Sequence, residues 1–360
     1  MVTGAIIALV WANWYPSSYE RLTGTLRFPV NDIAMAFFFG LAMKEIIEAT
    51  APGGALHTFR RAALPVVAAV GGMAGPAGLY LALAIAIGRA DVLRGWAIPC
   101  ATDIAFSYMV IRLIVRPTHP AVPFLLLLAI ADDALGLVLL AALYPAAPLR
   151  LLPLVGLIAL ACAIAWLLRV RGVRSFWPYV LGGGSVAWTG FFMGGLHPAL
   201  ALVPVLPFVP HAAHDAGLFV ESDDRTHDPL TDFEYWWSTP VEFVLFFFAL
   251  TNAGVAVQQT GVVTWIVLLS LLVGKPLGIS VATWLAEQVG LKRPEGLAWG
   301  ELLVLGITAG IGFTVSLFFA TAAFSAGATQ DEAKLGAMLS VSAALVALAA
   351  ARALRVGRWN

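Results

Sequence analysis

Apolar residues run along the chain in long blocks, and the polar residues collect between them. A helix needs about 20 mainly apolar residues to cross a hydrocarbon layer. On that template twelve segments are read, at residues 2–15, 31–48, 62–87, 95–114, 120–145, 149–168, 176–193, 196–210, 239–258, 262–286, 300–324 and 331–352. The first and eighth are short and read as tilted, incomplete or interfacial. The run Val2–Trp14 has no basic leader and no clear small-residue cleavage site, so it reads as a short first span and not as a cleavable signal peptide. No Gly/Ser linker or low-complexity block divides the chain, so residues 1–360 are read as one integral membrane domain.

Composition agrees. The chain is 60% hydrophobic and 12% charged, with a mean hydropathy of +0.88, whereas soluble domains carry about 25% charged residues. The fold class is therefore an all-α polytopic membrane protein of about 12 transmembrane helices, with the lipid bilayer as its solvent and no nucleic acid among its partners. The net charge is zero, so only the distribution of charge informs. Odd-numbered loops hold six basic residues, Arg21, Arg27, Arg89, Arg94, Arg150 and Lys334. Even-numbered loops and the tail hold fourteen, among them Lys44, Arg60, Arg61, Arg112, Arg116, Arg169, Arg171 and Arg174. That bias places both termini in the cytoplasm, and the bacterial inner membrane is the expected location. The two cysteines, Cys100 and Cys162, lie in apolar runs and give neither a disulfide framework nor metal-ligand spacing.

Four charges fall deep inside the apolar blocks, away from their ends. Asp103 stands in ATDIAFS, Asp132 and Asp133 in AIADDALG, and Lys275 in LLVGKPLGIS. Each costs about 2.5–3.5 kcal/mol to insert at membrane depth. Two adjacent carboxylates in a low dielectric cannot both stay ionised without a cation, so a proton or a metal ion must enter, and one excludes the other. Oxygen ligands suit a hard cation such as Na+. The alternative is an acidic pair at a wet helix end. Lys275 is the natural counter-charge, with a purely structural ion pair as the plainer reading. Pro99, Thr102 and Asp103 interrupt one helical pattern, and GITAGIGFTVS at residues 306–316, with Gly306, Gly310 and Gly312, interrupts another. Two interrupted spans, one in each half, point to an inverted-repeat transporter with a site near mid-membrane. Close helix packing is the alternative use of the glycines. Broken helices expose partial charges at their ends, which Asp103 and Lys275 are placed to balance. His197 in GGLHPALAL is a satisfied helix-end histidine or a titrating modulator. The polar stretch at 211–238, with three histidines and Trp236–Trp237, is a solvated loop with an aromatic anchor or a pH-responsive segment.

Together WAIPCATDIAFS, AIADDALG, LTNAGV, VGKPLGIS and GITAGIGFTVSLF resemble the bacterial NhaA-type sodium/proton antiporters, in order and spacing from about residue 31 to residue 350. That family is itself a standing example of the inverted-repeat geometry. The resemblance implies two broken, crossing spans, at about 95–114 and 300–324, and an exchange site for Na+ or Li+ and H+ at Asp133 and Asp132 with Thr102 nearby. It also implies that Asp132 pairs with Lys275, that Asp103 and Lys275 balance the helix dipoles, and that exchange is electrogenic, with no cofactor beyond the transported ions. Departures concern regulation. GLAMKEII puts Ala42 where the family has an acid and leaves Glu45 in a different place; Phe233, Glu234 and Trp237 stand where an acid and histidines are expected; Pro198 replaces an alanine. His197 and Glu45 remain candidates for pH modulation. The first periplasmic loop is too short for the family's β-hairpin, which leaves a homodimer open. An intramembrane aspartyl protease would need GxGD and YD signatures, which the chain lacks, and would give Lys275 no role. A channel fits poorly with alternating-access repeats. The other readings are an antiporter for K+ or an electroneutral one, or a non-transporting sensor derived from the fold.

Overall fold

The structure, a computed structural model, describes residues 1–57, 59–211 and 228–359. His214, Arg225 and His227 of the polar stretch lie outside the described residues. Among the described residues regular structure is helical and no strand forms. In chain order the α-helices are α1 (Val2–Trp14), α2 (Pro16–Phe28), α3 (Met35–Thr50), α4 (Phe59–Ala86), α5 (Ile104–Ile114), α6 (Ala121–Leu143), α7 (Leu151–Val170), α8 (Ser185–Gly194), α9 (Pro229–Asn252), α10 (Val262–Leu269), α11 (Lys275–Gln288), α12 (Trp299–Ala309), α13 (Phe313–Ala323), α14 (Ala328–Leu339) and α15 (Ala343–Ala353). Wider π-turns at Pro29–Ala34, Tyr179–Gly184 and Ser270–Gly274 lead into α3, α8 and α11, and a 3-10 helix, Ala90–Cys100, precedes α5.

By length and composition, five of the described helices can cross a membrane, or seven when each of two bent pairs counts as one span. The bent pairs are Ala90–Cys100 with α5, at 56°, and α12 with α13, at 49°. These are the spans whose sequences carry the interruptions. In the first, Pro99 removes a backbone donor and Asp103 caps the helix that restarts after it, accepting from Phe106 N at 3.2 Å. In the second, Gly310 and Gly312 flank the break. Gly306, read from sequence as part of that break, lies inside α12 a turn earlier. A Cβ at Gly306 would come within 2.8 Å of Pro276 Cα, so its missing side chain lets α12 lie on the start of α11.

Three stretches differ from the hydropathy reading. Residues 16–28 form α2 instead of an open loop. Tyr19 and Thr23, four apart, make its buried face, while Glu20 and Arg27 pair at 3.0 Å; an amphipathic helix of this length gives no long apolar block. Residues 229–238 are the first turns of α9, begun by Asp228, which accepts from Leu230 N at 3.0 Å and Thr231 N at 2.8 Å, and by Pro229 in the first turn. The segment 196–210 forms two single 3-10 turns, Pro198–Leu200 and Leu206–Phe208, and no α-helix. Its four prolines, Pro198, Pro204, Pro207 and Pro210, remove the donors a continuous helix needs.

The chain forms two compact units, each from two stretches of sequence. The first comprises Met1–Gly54 and Leu137–Gly254. In it α1 and α3 pack on α9, and α7 packs on α8. Asn31 and Asn252 exchange amide hydrogen bonds of 3.1 and 2.8 Å, and the Tyr19 hydroxyl donates to Leu250 O at 3.0 Å while accepting from Gly254 N at 3.1 Å. The LTNAGV motif thus ties α9 to the start of the chain. The second unit comprises Ala55–Gly136 and Val255–Asn360. Here α4 runs along α11, α10 and α13 pack on α14, and α12 packs on α11 and α15. Gly71 and Gly75 of α4 meet Gly274 and Gly278 so closely that a Cβ at Gly278 would run into Gly71 O and Gly75 Cα. Small residues four apart let two backbones touch. That contact seats Lys275, the first residue of α11, deep in this unit.

Candidate functional site

The two breaks meet in the second unit and satisfy one another's backbone. Asp103 N donates to Ile311 O at 2.7 Å, and Ser107 Oγ donates to Thr308 O at 3.0 Å, one of the carbonyls at the end of α12. Gly312 N donates to Ser340 Oγ at 3.2 Å. Backbone groups leaving a helix inside a membrane must find partners within the protein, and here the two broken spans and Ser340 supply them.

Asp103 sits where two helices begin. Its Oδ1 accepts from Phe106 N in the first turn of α5, and its Oδ2 accepts from Thr314 N at 3.2 Å and from the Thr314 hydroxyl, at the start of α13. One carboxylate therefore faces two positive helix ends, a favourable place for negative charge. Lys275 has the complementary position. Its ammonium donates to Cys100 O, the last carbonyl of the 3-10 helix that precedes the first break.

Lys275 also holds Asp132. Nζ lies 2.9 Å from Asp132 Oδ2, with both side chains shielded completely from solvent. Thr102 Oγ1 donates to the same oxygen at 2.7 Å. The second oxygen, Oδ1, is buried and has no hydrogen-bond partner among the described residues. Asp133, the next residue of α6, is partly exposed, whereas Asp132 is 2% exposed. Successive helical side chains diverge by about 100°, so one aspartate of the pair is locked inward and the other turns to a less buried side. Thr102, Asp103, Asp132 and Lys275 are thus brought together, with Asp133 alongside. Among the described residues no three His, Cys, Asp or Glu side chains converge as a metal-ligand set.

The two candidate modulators belong to the first unit. His197 Nδ1 is 3.7 Å from Asp32 Oδ1, and Trp188 Nε1 donates to Asp32 O at 2.7 Å. Glu45 is the outermost of three carboxylates around the buried ammonium of Lys44, at 3.8 Å; Glu48 is at 2.6 Å and Glu234 is in direct contact. The sequence alone assigns no site role to Thr314, Ser107, Lys44 or Glu48. The four-residue spacing of Lys44 and Glu48 on one helix could have suggested that pair. Nothing local signals that Glu234, 190 positions from Lys44, completes it, nor that Thr314 shares Asp103.

Bent spans whose broken ends meet around buried aspartates and a lysine define a multi-pass membrane protein with its charged site at helix breaks. The chain matches the family described as Na+/H+ antiporter 1 over residues 1–351, and it belongs to that family. It is 45% identical over 364 residues to a Geotalea uraniireducens protein named Na(+)/H(+) antiporter NhaA, covering 99% of this chain and 94% of that one. It is 44% identical over 370 residues to Na(+)/H(+) antiporter NhaA 1 of Pelobacter propionicus, covering 99% and 96%, and 43% identical over 394 residues to Na(+)/H(+) antiporter NhaA of Jannaschia sp., covering 97% and 94%.

Proposed function

We propose that the protein is a secondary active transporter that exchanges cytoplasmic Na+ for external H+. The observation that carries this reading is the pair of neighbouring aspartates in unlike settings: Asp132 shares one oxygen with Lys275 and Thr102 and leaves the other unpartnered, while Asp133 is partly exposed. Similarity to proteins named as Na(+)/H(+) antiporters supports it along nearly the whole chain.

The exchange follows from competition for the same oxygens. With no sodium bound, Lys275⁺ neutralises Asp132⁻ and Asp133 holds a proton. Sodium draws its ligands from Asp132, Asp133 and Thr102, with main-chain carbonyls or water completing the shell. It can do so only when Asp133 loses its proton and Asp132 releases Lys275. Protonation reverses each step. A released Lys275 that gives up its own proton makes the exchange electrogenic, with more protons moving in than sodium ions out. Asp103 serves the two helix starts, accepting from the first turn of each. Twelve spans in two inverted repeats would carry this site between the two sides, in the bacterial inner membrane with both termini cytoplasmic. Li+ would use the same ligands, and His197 and Glu45 would modulate the response to pH. A homodimer, if formed, would use a contact other than a β-hairpin in the first loop, where α2 lies.

The test is sodium-induced dequenching of a pH-sensitive dye in everted vesicles with an imposed proton gradient, repeated with lithium and potassium. Dequenching by sodium is expected. Vesicles that hold the gradient and respond to none of the three cations would overturn the assignment.

A further inference from the structure

The half-helices α5 and α12 have 11 residues each, about 16 Å in length. Their inner ends form the breaks. Their outer ends border a cavity of about 620 Å³ lined by Arg116, His119, Glu301, Gly357 and Arg358, which ion exchange does not use.

The tail of the chain builds one wall of this cavity. After α15 the backbone turns through Arg355, at φ +53, and Gly357, at φ +67. A Cβ at Gly357 would run into Ile114 O, so glycine is what lets the tail lie against the end of α5. Arg358 Nη2 then donates to Arg112 O at 3.3 Å, one of the carbonyls left open where α5 ends. Among the described residues one carboxylate lines the cavity, that of Glu301, and it is already engaged. It pairs with His119 Nε2 at 3.1 Å and accepts from Ala298 N at 2.8 Å. Among the described residues Arg116 and Arg358 pair with no carboxylate. The lining of the cavity therefore includes two guanidinium groups, from separate stretches of the chain, with no carboxylate partner among the described residues.

Its surroundings indicate the depth at which it opens. Arg293 lies over the Trp299 ring at 4.2 Å and Arg352 over the Trp359 ring at 5.4 Å, with Leu113 and Leu354 exposed nearby in sequence. Tryptophans paired with arginines beside exposed leucines mark the level where hydrocarbon gives way to headgroups. Guanidinium groups match phosphate oxygens in charge and fork geometry, and basic pockets at the cytoplasmic membrane surface take anionic lipid headgroups.

We propose that this cavity binds the phosphate of an anionic phospholipid headgroup, held between Arg116 and Arg358. The site clamps the outer ends of the two half-helices whose inner ends form the ion site. The inference rests on the membrane-spanning reading of the chain and not on the ion chemistry.

The test titrates dioleoyl phosphatidylglycerol and dioleoyl phosphatidylcholine into the purified full chain in neutral detergent, reading bound lipid by native mass spectrometry. Wild type is expected to retain phosphatidylglycerol in preference to phosphatidylcholine. Each arginine near a membrane surface is worth about 1 kcal/mol toward anionic lipid, so Arg116→Gln with Arg358→Gln should weaken phosphatidylglycerol binding about 25-fold. Arg171→Gln with Arg174→Gln, which removes two exposed arginines of the other unit, should leave it nearly unchanged. Should the first pair fail to fold, Arg116→Gln alone carries the same comparison at about five-fold. Equal binding of the two lipids by wild type, or equal loss in both double variants, would overturn the site. Competition by millimolar inorganic phosphate as strong as that of the lipid would overturn the lipid as its source.

Discussion

Lys275 Nζ lies 2.9 Å from Asp132 Oδ2 with neither side chain exposed. Removing one member of a buried ion pair leaves the other charge uncompensated, at a cost of about 3–5 kcal/mol. Lys275→Ala should therefore lower the thermal stability of the purified protein by an amount of that order. Adding Asp132→Asn should recover part of the loss, because no orphan charge remains. A double variant no more stable than Lys275→Ala would leave Lys275 only its contact with Cys100 O as a structural role.

Lys275→Arg separates charge from proton release. Arginine supplies the positive charge but keeps its proton, because guanidinium is far less acidic than the lysine ammonium. The variant should fold and still exchange sodium for protons, while the charge moved per sodium falls. Transport currents in proteoliposomes measure this directly. A current per sodium equal to wild type would show that Lys275 carries no proton.

In the proposed exchange Asp133 is both a proton site and a sodium ligand, on the partly exposed side of the pair, and Asp133→Asn would remove both roles together. Sodium-driven proton flux should disappear while the protein inserts and keeps a wild-type melting temperature within a few degrees. Flux at the wild-type level would place the exchanged proton elsewhere.

Thr314→Val and Asp103→Asn test the junction of the two helix starts. Asp103 accepts from Phe106 N, Thr314 N and the Thr314 hydroxyl. Losing one donor to a buried acceptor costs about 1–3 kcal/mol. A carboxylate at a partly buried helix end contributes up to about 2 kcal/mol. Both variants should be destabilised, with Asp103→Asn at least as affected because it serves two helices. Unchanged thermal stability in both would show that the junction is held without Asp103.

Gly278→Ala probes the seating of Lys275. The new Cβ would run into Gly71 O and Gly75 Cα. Separating α4 from α11 to admit it should cost about 1–3 kcal/mol and lower the exchange rate by moving Lys275 relative to Asp132. A thermal melt together with initial rates of dequenching distinguishes this from a tolerated change, which would leave both at wild-type values.

Much of this protein is legible in one dimension because the bilayer imposes a one-dimensional rule. Long apolar blocks must be spanning helices, and a charge inside one is expensive enough to need a partner or a use. That rule singles out Asp103, Asp132, Asp133 and Lys275, and Pro99, Thr102, Gly310 and Gly312 place the two interruptions within a few residues. It fails at 196–210, an apolar block whose four prolines prevent an α-helix, and where helices form for other reasons. α2 is amphipathic and short, and the first turns of α9 depend on the Asp228 cap and Pro229.

The family resemblance already implies that Asp132 pairs with Lys275 with Thr102 nearby; what only the tertiary structure decided is which atoms distant groups share. Thr102 and Lys275, 30 and 143 positions away, converge on the same oxygen of Asp132 and leave the other unpartnered among the described residues. Thr314 joins Asp103 across 211 positions, and Glu234 completes the ring around Lys44. Gly306 looks like part of a break in sequence, and packing gives it to the α11 contact instead. Hydropathy counts residues along a helix and is blind to the angle a side chain takes around it. Which of two neighbouring aspartates is locked on the lysine is settled by that angle and by the close α4–α11 backbone contact that holds Lys275 in place.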